Sequence, residues 1–137
     1  MRRLLLAASV AAFASVAAAQ EGPKAIRFAR GATSATIEGA VVRGDRDLYT
    51  LDARAGQAAQ FRISSAERNA VFQIYAPGAV HNLRDGVHEV DGTALPGAGE
   101  TDDATTWSGR LPATGAYLIV VGGTRGNASY RLAVTVR

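Results

Sequence analysis

Cysteine is absent from the 137 residues, tryptophan and methionine occur once each, and there are two histidines and four prolines. Without thiols no disulfide framework can staple the fold, and redox cysteines, thiol nucleophiles and cysteine metal sites are excluded. A cysteine-linked lipid anchor is excluded for the same reason. Stability has to come from apolar burial and backbone hydrogen bonding.

A membrane-spanning run is lacking as well. The longest apolar stretch, residues 4–16, falls short of the ~20 residues a helix needs to cross a bilayer. Arg2 and Arg3 precede it and Ala17, Ala18 and Ala19 follow in an A-x-A arrangement. This is the three-part layout of a secretory signal, with cleavage predicted after Ala19 and no membrane insertion of the mature chain. The composition fits a periplasmic or secreted protein of the bacterial envelope.

Strong charge of one sign is lacking too. Removing residues 1–19 takes away two arginines, so the 15 basic side chains become 13 against 12 acidic ones, a net charge of +1. Nothing in that balance recommends nucleic acid or an anionic membrane surface as a partner. The remaining 118 residues suffice for one domain with a core: a flexible lead over residues 20–24, with Gly22 and Pro23, and a single domain over 25–137.

What the chain does have is short apolar segments alternating at period two and bounded by Gly, Asp, Asn or Pro. Ile26 and Phe28, Leu51 and Ala53, and Phe61 and Ile63 alternate with polar neighbours. Tyr130, Leu132, Val134 and Val136 give the cleanest half-buried strand. Residues 117–121 are apolar on both faces, which predicts a central strand covered on each side and ended by Gly122 and Gly123. The pattern predicts an all-β fold, an antiparallel β-sandwich of about eight strands. Residues 77–105, rich in turn formers, read as a long loop with a short strand near 87–90.

Candidate chemistry is sparse. His81 and His88, with Glu89, Asp91, Asp102 and Asp103 within chain reach, match no compact ligand motif and read as solvated loop residues. They are the only candidate bases for Ser64, Ser65 or Ser108, and no G-x-S-x-G elbow accompanies them. Asp45, Asp47 and Asp52 lack the fixed ligand series of a calcium loop and read as turn-capping residues. Asn127-Ala128-Ser129 is formally a sequon but reads as a turn. Trp107 reads as a core or edge filler, an exposed stacking platform being the alternative. Arg125, at the tip of a predicted hairpin, is a candidate contact residue or a solubilising one. Catalytic machinery, a metal set and a cofactor site are therefore not expected, and the chain reads as a non-enzyme.

Two segments, FARGATSATIEGAVVRGDRDLYTLDARAGQ (28–57) and WSGRLPATGAYLIVVGGTRGNASYRLAVTV (107–136), resemble the bacterial periplasmic lysozyme inhibitors that target goose-type and invertebrate-type lysozymes. The resemblance lies in an F-x-K/R-G opening, a Y-x-L-x-A-x-x-G-Q stretch and an L-P-x-x-G-x-Y strand entry. It spans most of the mature chain and leaves the 77–106 segment unmatched. The same layout is similar to the pre-peptidase C-terminal-like β-sandwich modules of secreted peptidases. The inhibitor resemblance implies a protein that binds lysozyme and occludes its active-site cleft with surface loops. It places Thr114, Gly115 and Tyr117 at the inhibitory positions, with Arg125 on a neighbouring hairpin. Thr114 stands where the family carries serine, and the TRGNASY hairpin is shorter than the family's arginine-rich one. The alternative is an envelope module binding glycan or protein without catalytic activity. Clustering of Thr114, Tyr117 and Arg125 at one rim would favour inhibition; an exposed Trp107 would favour glycan.

Overall fold

The computed structural model describes residues 22–137; the expected signal segment and the first two residues of the lead lie outside them. The described residues form ten strands: β1 (Lys24–Ala25), β2 (Ser34–Val41), β3 (Asp47–Ala53), β4 (Ala58–Ser65), β5 (Ala70–Tyr75), β6 (Val80–Arg84), β7 (Val87–Asp91), β8 (Thr106–Arg110), β9 (Gly115–Gly123) and β10 (Ala128–Val136). None of the described residues is helical, so among them no helix is long and apolar enough to cross a membrane.

Eight of these strands make the sandwich. Sheet I has the order β1-β3-β9-β5 and sheet II the order β2-β10-β4-β8, while β6 and β7 form a separate hairpin. Pairing within the sandwich is antiparallel except for the short β1, which runs parallel to β3. β4 and β10 show why alternation builds a sheet with one dry face. Ala59, Phe61 and Ile63 on β4, and Tyr130, Leu132 and Val134 on β10, are buried, while the residues between them face out. Phe61, Phe72, Leu51, Ile74, Ile119 and Leu132 fill the space between the sheets. Each such side chain contributes roughly 1.5–3 kcal/mol by leaving water.

β9 is buried on both faces, as its doubly apolar sequence predicts. Tyr117, Ile119 and Val121 point into the core, whereas Leu118 and Val120 join Tyr75 in a second apolar cluster with Leu48, Ala79, Val90 and Ala94. The cover on that outer side comes from the β6–β7 hairpin and the strip after it. The segment expected as a long loop with one short strand is therefore a two-stranded hairpin. Its turn is Asp85-Gly86, both with positive φ (51° and 77°), the type I′ geometry that suits a two-residue connection. Residues 93–104 then run along the free edge of β5 through bridges at Ala94 and Ala104, which caps an otherwise open sheet edge.

Candidate functional site

β9 separates two loop clusters at opposite ends of the sandwich, and the four candidate residues divide between them. Thr114 and Gly115 stand at its start and Arg125 follows its end. Eight steps of ~3.3 Å put the two ends about 26 Å apart. Thr114, Tyr117 and Arg125 therefore do not cluster at one rim, the arrangement that would have favoured inhibition through all three: an extended strand holds Thr114 and Arg125 apart.

The Thr114 end is built from two chain segments. Turn residues 54–57, between β3 and β4, pair with the stretch before β9 through Gly56 N–H to Leu111 O and Leu111 N–H to Gln57 O, both 2.8 Å. Within the turn, Arg54 N–H donates to Gln57 Oε1 at 2.7 Å. Ala55 N–H donates to Thr114 Oγ1 at 3.0 Å, leaving the exposed hydroxyl its own proton to donate. Gly115 adopts φ 146°, and a Cβ there would lie 2.8 Å from Pro77 Cβ, so only glycine lets the chain enter β9 beside Pro77.

Tyr117 sits inside this end. Its side chain is fully buried, and its hydroxyl donates to Ala113 O at 2.7 Å and accepts Ala113 N–H at 3.0 Å. The expectation of Tyr117 as a contact residue is corrected accordingly: its phenol faces the core and holds the 112–115 loop from beneath. Arg54 and Arg110 are exposed on the same end, with Arg110 Nη1 donating to Gly56 O at 2.9 Å. Neither was singled out by sequence. The signal that finds them is tertiary, the pairing of turn 54–57 with the 111–114 loop.

At the other end, Arg125 Nη2 donates to Glu67 O at 2.9 Å. Buried Asn69 donates to Arg125 O at 2.8 Å and Asn127 O at 3.0 Å, and Thr124 N–H donates to Asn69 O. Asn127 Oδ1 accepts Arg43 N–H at 2.8 Å, which gives the sequon asparagine a turn-holding part. This end is tied together by side-chain amides.

The remaining candidates fall elsewhere. Trp107 is half-buried, edge-on to Phe61, with its indole N–H donated to Pro96 O at 2.8 Å, so it offers no free stacking platform. Ser64, Ser65 and Ser108 belong to sheet II, whereas both histidines lie over sheet I. His81 and His88 are not solvated loop residues: they are partly buried partners on the hairpin's inner face, 2.9 Å from Nε2 to Nδ1. Among the described residues, no three His, Asp or Glu side chains converge where they could hold a metal ion.

A polar network closes the sandwich near Asp47. Tyr130 hydroxyl donates to Asp47 Oδ2 at 2.6 Å and accepts the Tyr49 hydroxyl at 2.5 Å. Burial, then the bonds to Asp47 and Tyr49, push the Tyr130 phenol far above its ordinary range. Gly39, opposite Tyr130, makes room for it, since a Cβ there would meet the phenol oxygen at 2.5 Å.

Comparison with known proteins places this geometry in a family. No protein-family profile matches the chain, and no curated protein matches it. Solved structures do. A PliG of Aeromonas hydrophila, a periplasmic lysozyme inhibitor of g-type lysozyme, is 33% identical over 84% of this chain and 96% of its own, with a TM-score of 0.66. The PliG of Salmonella Typhimurium is 25% identical over 85% of this chain and 100% of its own, with a TM-score of 0.58. A mutant PliG of Escherichia coli, at 23% identity over 85% and 100% with a TM-score of 0.58, shares the fold. The identity and near-complete coverage of the Aeromonas hydrophila protein settle the family: the chain belongs to PliG, the periplasmic lysozyme inhibitors of g-type lysozyme.

Proposed function

We propose that this protein is a periplasmic inhibitor of a g-type lysozyme, acting by occlusion and not by chemistry. The observation that carries the reading is 33% identity to the Aeromonas hydrophila inhibitor along 96% of that protein's length. The remaining choice among lysozyme types falls on the goose type, because the three PliG relatives are named for it.

The occluding surface is the Thr114 end. Lysozyme chemistry depends on carboxyl groups in a cleft. Thr114 presents a hydroxyl proton at an exposed loop tip, held in place by Ala55 N–H, by the tight Gly115 entry beside Pro77, and by the Tyr117 phenol underneath. Such a preorganised donor loses little freedom on docking. Arg54 and Arg110 flank it with positive charge suited to carboxylates. In this reading Thr114 and Gly115 enter the cleft, Tyr117 positions them, and Arg54 and Arg110 take the supporting part first assigned to Arg125.

The test is inhibition of a purified g-type lysozyme on cell walls, with invertebrate-type and chicken-type enzymes as comparators. Inhibition of the g-type enzyme at nanomolar concentration supports the reading. No inhibition at micromolar concentration, about the affinity of a weak specific complex, overturns it. If inhibition is strong and only Arg125→Ala weakens it, the occluding surface is the other end of the sandwich.

A further inference from the structure

The β6–β7 hairpin is held over sheet I by a thin apolar layer and by a chain of hydrogen bonds. The apolar layer sets Val90 and Ala79 against Tyr75, Leu48, Leu118 and Val120. The chain runs from Asp45 Oδ1 to His88 Nε2 at 2.8 Å, and from His88 Nδ1 to His81 Nε2 at 2.9 Å. The imidazole centroids are 5.1 Å apart and the ring planes differ by 22°, so the rings lie end to end with the two nitrogens facing each other. Both rings roof a groove of about 710 Å³ between the hairpin and the sandwich.

The direction of each bond follows from the carboxylate. Asp45 only accepts, so His88 carries its proton on Nε2 and, when neutral, offers a lone pair at Nδ1 to the Nε2–H of His81. One added proton leaves the chain intact. It enters at His81 Nδ1 while the shared proton moves to His88, whose cation then donates to Asp45 and to His81 together. A second proton makes both rings cations with N–H groups pointed at each other 2.9 Å apart, and the bond between them is lost.

We propose that Asp45, His88 and His81 form an acid-release latch, closed with no proton or one proton added and opened by the second, which frees the hairpin from sheet I. Asp45 is well placed to stay ionised throughout: the Arg46 N–H and the His88 bond hold its carboxyl below the usual range. Burial, with the neighbouring His88, pushes His81 below the ordinary histidine range. A depressed histidine contributes stability that is complete above its unfolded value near ~6.5 and declines as pH falls towards its folded value. The groups around the latch do not replace it. Asp47 is engaged by Tyr130 and Glu38 by Arg131, while Arg46 and Lys24 add positive charge to the groove. β9 contributes only Leu118 and Val120 to the hairpin's seat, and from the strip beyond, Glu100 acts on Tyr75. Opening would bare that apolar seat and widen the groove.

Amide hydrogen exchange of the mature protein tests this, with protection of the hairpin and of β9 followed from pH 7.5 to 4.5 and corrected for intrinsic rates. Hairpin protection should hold to about pH 6.5 and fall about tenfold by pH 4.5, the effect of losing one charge-assisted bond, while β9 stays protected. His81→Gln, which cannot take the second proton, should remove the pH dependence. Nitrogen NMR of the rings at pH 7.5 should show Nε2–H on both. The latch is overturned if hairpin protection is flat in the unmodified protein, if His81→Gln declines equally, if β9 declines in parallel, or if His88 carries its proton on Nδ1 at pH 7.5.

Discussion

Thr114 accepts the backbone N–H of Ala55 through its hydroxyl oxygen at 3.0 Å, which joins the loop before β9 to the turn after β3. The bond fixes the oxygen and leaves the proton for a partner. Thr114→Ser keeps both properties, whereas Thr114→Ala removes both. The serine variant should inhibit a g-type lysozyme within about threefold of the unmodified protein, and the alanine variant at least tenfold less well, with a stability loss of about 1 kcal/mol. Inhibition constants and denaturant melts of the two variants check this; equal potency of both denies the hydroxyl a part.

Tyr117→Phe separates positioning from contact. The phenol is fully buried and both of its bonds go to Ala113. Removing the oxygen leaves the Ala113 N–H and carbonyl without that partner, at a cost of about 1–3 kcal/mol. Inhibition should weaken because the loop is less ordered. The exchange rate of the Ala113 amide should rise in the variant, a change that a lost direct contact would not produce.

Much of the sandwich is written in the sequence. The period-two alternation of β4 and β10 marks their buried faces residue by residue, and the doubly apolar 117–121 stretch marks a strand with cover on both sides. That same stretch hides which face each residue takes, because both faces are apolar; the pattern therefore does not decide whether Tyr117, which the family resemblance alone places among the contacts, faces the core. The hairpin over sheet I is legible in Asp85-Gly86, a dipeptide typical of a two-residue turn. Flanking residues His81 and His88, polar on its inner side, obscure it. The end-to-end separation of Thr114 and Arg125 is a matter of counting strand residues. The company of Arg54 and Arg110 around Thr114, by contrast, depends on a contact between distant segments that no local pattern announces.

Gly115 tests the shape of the loop independently of its chemistry. With φ 146° and Pro77 Cβ 2.8 Å from where a methyl group would sit, Gly115→Ala has neither backbone freedom nor space. It should cost about 2 kcal/mol or more and weaken inhibition together with stability. Urea titration followed by tyrosine fluorescence measures the first; retention of unmodified stability would show that the loop and Pro77 move aside.

Arg54→Ala combined with Arg110→Ala should weaken inhibition about tenfold or more, mostly by slowing association, and more at low salt than at high salt. Arg125→Ala, about 26 Å away along β9, should leave inhibition within about twofold. Association rates measured at two ionic strengths distinguish the two ends, and the reverse order of effects would assign the lysozyme-facing surface to the Arg125 hairpin.

Alkaline pH should expose the Tyr130 network. A phenol whose folded value lies above its unfolded value of ~10 contributes stability that is complete below pH 10 and lost as pH rises beyond it, because only the unfolded chain then releases the proton. Tyr130 is raised by burial first and by its bonds to Asp47 and Tyr49 next, so the native state resists ionisation there. The unmodified protein should lose stability progressively above pH 10. Tyr130→Phe starts lower, because Asp47 and Tyr49 each lose a partner, and declines less steeply because one buried phenol no longer titrates. Denaturant midpoints at pH 8, 10 and 11 measure both slopes. Parallel slopes would mean that the alkaline transition belongs to another tyrosine, with Tyr75, which burial and the charge of Glu100 also raise, the first to substitute.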